Sequence, residues 1–169
     1  MPHRKPCLGI MLLVAALSTG CAAHLQTRTV QDGDTYDLWA ARMEHMPFVF
    51  HEPDGHVDVY DVRGNAWTGP TNDLKDGSAD RVEVYEGHYA AATGTMCTPS
   101  TTALTAGRAA GSANVVAAIC DRGRTVVSFS DKVRARVLDA KTEYVPRVRH
   151  LLLEGIWESV AQEPAPLHT

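Results

Sequence analysis

Apolar positions along this chain switch between helical and strand spacing, and the switches predict one mixed domain. Tyr36, Trp39, Ala40 and Met43 recur at helical spacing behind Asp34, which stands at the N-cap with Asp37 three residues on. Pro47 stops that helix, and Asp37 and Glu44 on its other face suit packing on a core better than lying on a membrane. Phe48-Val49-Phe50 and the alternating Val57-Asp58-Val59-Tyr60 flank Pro53-Asp54-Gly55, which predicts a β-hairpin over 48–62. Gly64 to Ala79 reads as a loop pinned by Trp67.

Val82-Glu83-Val84-Tyr85-Glu86 then repeats the chemical types of Val57-Asp58-Val59-Tyr60-Asp61. If both sets of valines face the core, Asp58, Tyr60, Glu83 and Tyr85 share the outer face of a sheet. His88 to Met96 is a small-residue strand, and Thr98 to Ala113 a small-residue loop. Val115 to Cys120 and Thr125 to Ser130, around Asp121-Arg122-Gly123, predict a second hairpin.

Lys132 to Val137 alternates strictly, giving a strand with one basic and one apolar face; helical spacing of Val133, Val137, Ala140 and Tyr144 fits residues 131–141 as well. Pro146 opens a C-terminal helix whose apolar side is Val148, Leu152, Ile156 and Val160, with Leu151 and Trp157 beside them. Pro164-Ala165-Pro166 ends it. Helix, strands, helix is the order of an α+β domain: a small antiparallel sheet with a short N-terminal helix and a C-terminal helix packed on it.

The first twenty-one residues follow a different rule. His3, Arg4 and Lys5 precede an apolar run from Cys7 to Leu17, and Ser18-Thr19-Gly20-Cys21 closes it with small residues. The run is too short to span a bilayer, which takes about 20 apolar residues. A basic start, a short apolar stretch and a small-residue exit make a secretory signal. Its ending resembles the lipobox of bacterial lipoproteins, although the place three before the cysteine, most often Leu, is Ser18 here, with Leu17 one further back.

The resemblance implies cleavage between Gly20 and Cys21 and a covalent lipid on Cys21. It divides the chain into a leader over 1–20, a lipidated tether over 21–32, one domain over 33–163 and a tail over 164–169. Several acyl chains together approach permanent attachment, at about 0.8 kcal/mol per buried CH₂. Ala22 and Ala23, rather than Asp, follow the cysteine. By analogy with enterobacterial lipoproteins this favours the outer membrane, facing the periplasm.

Loss of the leader removes Arg4 and Lys5, leaving fourteen Lys and Arg against twenty Asp and Glu, a mature charge of −6. Such a balance disfavours nucleic acid and suits a basic protein partner. Cys97 and Cys120 remain in the mature domain, and two cysteines in an exported domain point to a disulfide. The competing reading makes Cys97 a nucleophile of the cysteine-histidine endopeptidase kind, but Met96-Cys97-Thr98-Pro99 lacks the expected Asp-Cys-Ser-Gly-like run.

No zinc, calcium, phosphate-loop or serine-hydrolase motif is present. His51 and His56 flank the hairpin turn without metal-site spacing, so no metal and no cofactor beyond the lipid is expected. The sequence therefore points to a membrane-anchored envelope protein that binds another envelope or secreted protein and performs no chemistry. Asp58, Tyr60, Glu83 and Tyr85 are the candidate contact residues. An inhibitor or immunity-type lipoprotein against a basic cell-wall-degrading enzyme is its concrete form. A structural or assembly lipoprotein, or a hydrolase using carboxylates or a Ser/His set, fits the same pattern.

Overall fold

A computed structural model describes residues 23–75, 77–89, 93–98, 104–105 and 112–161. The leader over 1–20, Cys21, the tail 164–169 and most of the stretch 98–113 lie outside them. The elements in chain order are β1 (His24–Arg28), α1 (Tyr36–Met43), β2 (Phe48–His51), β3 (Val57–Tyr60), α2 (Asn72–Lys75), β4 (Arg81–Glu86), β5 (His88–Tyr89), β6 (Leu104–Thr105), β7 (Ser112–Asp121), β8 (Arg124–Arg134), α3 (Ala135–Asp139) and α4 (Lys141–Ala161).

Six strands form one sheet in the order β1-β8-β7-β4-β2-β3, while β5 and β6 pair separately. The fold is α+β. The sheet is antiparallel except between β2 and β4. That parallel pair follows from the hairpin: β3 ends opposite Phe48, and β4 begins opposite the same residue on its other side. The connection over 61–80 only has to step past one strand.

Strand alternation gives the sheet two unlike faces. Phe48, Phe50, Val82, Val84, Val115, Ala117, Ile119 and Phe129 face the helices and form the main core with Trp39, Met43 and Leu138. Each of the large side chains among them stabilises the fold by roughly 1.5–3 kcal/mol through burial. From α4 the core receives Tyr144, Val145, Val148, Leu152, Leu153 and Ile156. The helix can sit this low because residue 155 is glycine: a Cβ there would lie 2.7 Å from Leu25 Cδ1 and 2.8 Å from Val127 Cγ2.

Polar ties fix the start of α4. Lys141 Nζ reaches the fully buried Glu86 at 2.6 Å, and Arg147 Nη2 reaches Asp131 at 2.9 Å. Gly64, in the left-handed region at φ 81°, packs so tightly that a Cβ would lie 2.3 Å from the Lys141 carbonyl oxygen. At the other end of the sheet Asp34 accepts hydrogen bonds from Trp39 Nε1 (2.9 Å), the Gln31 backbone N–H (2.9 Å) and Arg124 Nη1 (2.7 Å).

Several expectations need correction. The stretch read as a tether contains β1, paired with β8, because Ala23 and Leu25 have apolar neighbours on the core. The N-cap of α1 is Thr35, whose hydroxyl accepts from Leu38 N–H at 3.2 Å, since Asp34 is already engaged by Arg124 and Trp39. The loop over 64–79 holds the single helical turn α2. Residues 131–141 divide: β8 runs to Arg134 and α3 begins at Ala135. Helix α4 begins at Lys141, so Pro146 is its sixth residue, past the first turn, and lacks the N–H that would bond the Thr142 carbonyl. Its apolar stripe is buried only as far as Ile156; Trp157 and Val160 are exposed.

Candidate functional site

The face of the sheet away from the helices is built from β4. Alternation turns Arg81, Glu83 and Tyr85 onto it, beside Cys120, Ala118 and Val116 of β7 and His51 of β2. Met96 and Cys97 cover this patch, and with Tyr85, Val116, Ala118 and Cys120 they form a second, smaller core. Cys97 and Cys120 are joined as a disulfide, with 5.3 Å between their Cα atoms. A sulfur in that bond is not a thiolate, so the oxidised domain has no Cys97 nucleophile.

Arg81 organises the patch, with its side chain only 2% exposed. Its Nη1 donates to the carbonyls of Gly77 (3.2 Å), Ala79 (3.1 Å) and Arg122 (3.2 Å), and its Nη2 to that of Cys97 (2.9 Å). Its Nε donates to Glu83, whose other oxygen lies 2.5 Å from His51 Nε2. The His51 ring stacks on Tyr85 at 4.3 Å between centroids, and Tyr85 meets Tyr89 at 4.7 Å. Burial pushes the Tyr85 phenol up, and the nearby Glu83 charge pushes it the same way. This arrangement holds Gly77, Ala79 and Cys97 onto the sheet, because five polar contacts converge on one desolvated guanidinium.

The other two candidate contact residues lie elsewhere. Asp58 and Tyr60 stand opposite Phe50 and Phe48, which places them on the helix-side face at the far edge of the sheet. Asp58, Tyr60, Glu83 and Tyr85 therefore do not share one face. The two five-residue runs match in chemical type but enter the sheet with opposite alternation, because one is paired to β2 with its acid over Phe50 and the other with its acid over Val49. The acids have separate partners as well: Glu83 is held by Arg81 and His51, and Asp58 lies against His56.

Tyr60 packs edge-on against Phe50 at 5.3 Å, and its hydroxyl donates to Asp58 at 3.2 Å. Burial, then the Asp58 charge, pushes its phenol up to about 12. Glu52 and Asp54 lie in the β2–β3 turn, Asp61 just past β3, and Val57 is 47% exposed between them. The C-terminal end of the outer edge of β3 is capped: Trp67 N–H donates to the Val59 carbonyl and Asp61 N–H to that of Asn65.

His51 and His56 turn to different acids, His56 Nε2 lying 3.1 Å from Asp58. Among the described residues no group of three His, Cys, Asp or Glu side chains is placed to hold a metal ion. Sequence reasoning missed Arg81, although it stands two residues before Glu83 in an alternating strand, where the two must share a face, and weighed His51 only as a metal ligand. Cys21 lies outside the described residues. No family model, no curated protein and no solved structure matches this chain.

Proposed function

We propose that the chain is a lipid-anchored protein of the bacterial envelope, held by a lipid on Cys21, whose domain binds a basic envelope or secreted protein. The observation that carries this reading is the strand order. Strand β1 begins three residues after Cys21 and forms one edge of the sheet, while the acidic hairpin β2–β3 forms the other. Five strand intervals separate the two edges, a distance of about 24 Å. An anchor at one edge leaves Glu52, Asp54, Asp58 and Asp61 turned to the aqueous side, with Tyr60 and the exposed Val57 among them.

The Cys97–Cys120 disulfide supports an oxidising compartment, as expected beyond the cytoplasmic membrane. A mature charge of −6 favours encounter with a cationic protein. The concrete form is an inhibitor or immunity-type lipoprotein masking a basic cell-wall-degrading enzyme, without chemistry of its own. Capture from envelope extracts at low salt tests it. The wild-type protein is expected to retain a basic protein that a Glu52→Lys/Asp54→Lys double variant loses. Equal capture by both, or capture of nothing, would contradict the reading.

A further inference from the structure

Among the described residues the acidic domain carries a concave site with a lysine in its lining. On the face away from the helices a cleft of about 500 Å³ lies between the sheet and Tyr89, within the size range of small-ligand sites. His24 and Gln26 of β1, Asn114 of β7, and Ser130 and Lys132 of β8 line it with Tyr89. The register explains why: His24 pairs with Ser130, and Asn114 with Lys132, so strand alternation sends these side chains to one face.

Its charge is the opposite of the molecule's. Lys132 is exposed and has no ion-pair partner among the described residues. Arg134, also exposed, falls on the same face by alternation. Asp131 lines the cleft only as part of β8; its buried carboxylate points to the helix side, where Arg147 holds it. Glu86 is likewise turned away, onto Lys141. Besides Gly87, the residues left lining the cleft bring a cation, an imidazole, two amides, a serine and a threonine hydroxyl, one phenol and the apolar Val116. Donors around an ammonium group, with no opposing carboxylate, complement an anion bearing several acceptor oxygens.

We propose that this cleft binds a phosphate group, with Lys132 as its charge partner and Gln26, Asn114 and Ser130 as hydrogen-bonding groups. Two sources offer that chemistry. His24 lies three residues from Cys21, so a lipid-anchored chain holds the cleft within about 10 Å of the anchor, in reach of a phospholipid headgroup. A free phosphate or phosphorylated solute is the other source. The headgroup arm rests on the anchor reading; phosphate binding itself does not.

The test uses the mature protein purified in a neutral detergent, after mass analysis has established the state of Cys21. Calorimetric titration with inorganic phosphate, and separately with micelles containing phosphatidylglycerol, should give saturable binding to at least one. Binding to the micelles alone identifies a headgroup site, and binding to inorganic phosphate identifies a site for the free group. Lys132→Gln should weaken either by about tenfold or more, and Lys132→Arg should restore it, whereas Arg63→Gln at the opposite edge should change nothing. No saturable binding of either probe, or equal affinity in Lys132→Gln, overturns the proposal. A bare Cys21 with phosphate binding intact would contradict the anchor and leave the cleft standing.

Discussion

Single residues decide this fold where charge is buried. Arg81 and Glu83 are both nearly inaccessible, and removing one leaves the other desolvated and poorly paired. Arg81→Met should therefore cost about 3 kcal/mol in urea unfolding and loosen the packing of Gly77, Ala79 and Cys97, read as faster proteolysis there. A loss under 1 kcal/mol would show that the contacts to Gly77, Ala79, Arg122 and Cys97 contribute little. Asp34 behaves differently. Burial alone would raise its carboxyl, but hydrogen bonds from Arg124, Gln31 and Trp39 outweigh that and hold it below the usual carboxylate range. Asp121 is held low by its hydrogen bond from the same Arg124.

A depressed folded-state pKa contributes stability that is present above the unfolded value of about 3.9 and lost as pH falls through the lowered one. Asp34→Asn should accordingly be about 2 kcal/mol less stable at neutral pH, and the gap from wild type should close below pH 4 or so. A gap unchanged between pH 7 and pH 3, read by thermal melts, would refute that assignment.

Between elements, the tightest contact is backbone on backbone. Gly64 needs a left-handed φ and lies against Lys141 and Thr142, so Gly64→Ala should cost about 3 kcal/mol by loosening the start of α4 from the β3 end. Hydrogen exchange in α4 would register it, and unchanged protection there would count against the contact. The disulfide closes a sequence separation of 23, worth about 3 kcal/mol in the chain-entropy model. Cys97→Ser/Cys120→Ser should lose that much while α4 stays protected, since the cysteines belong to the second, smaller core.

Elements with strong periodicity were legible in the sequence: both hairpins, the helix at Tyr36–Met43 and the helix under Val148, Leu152 and Ile156. Strand β1 was not, because His-Leu-Gln-Thr-Arg has a single large apolar residue and owes its pairing to β8. The parallel placement of β4 was also hidden, since pattern gives alternation but not neighbours. That is why the two Val-acid-Val-Tyr runs match in chemical type and still face opposite ways. The candidate contact set divided for this reason. Its Asp58 and Tyr60 half remains on the edge strand of the sheet, while Glu83 and Tyr85 serve the interior.

At the scale of the whole molecule, the strand order sets the account. The edge strand nearest the proposed lipid is the one no longer a tether, so the domain would ride close to the bilayer rather than on a long leash. Among the described residues no helix is long and apolar enough to cross a membrane. The hairpin with its acids then lies at the distal edge, and the Lys132 cleft at the proximal one. Cys21→Ala should shift the protein from the membrane fraction to the soluble one, and continued sedimentation with membranes would argue against the anchor.

The most direct measurement is the intact mass of the protein extracted from membranes, with fragmentation of its N-terminus. The account predicts a chain beginning at Cys21 and heavier than its sequence by a diacylglycerol, or by that and a further acyl group. An unmodified Cys21, in a chain cut elsewhere or not cut at all, would contradict it.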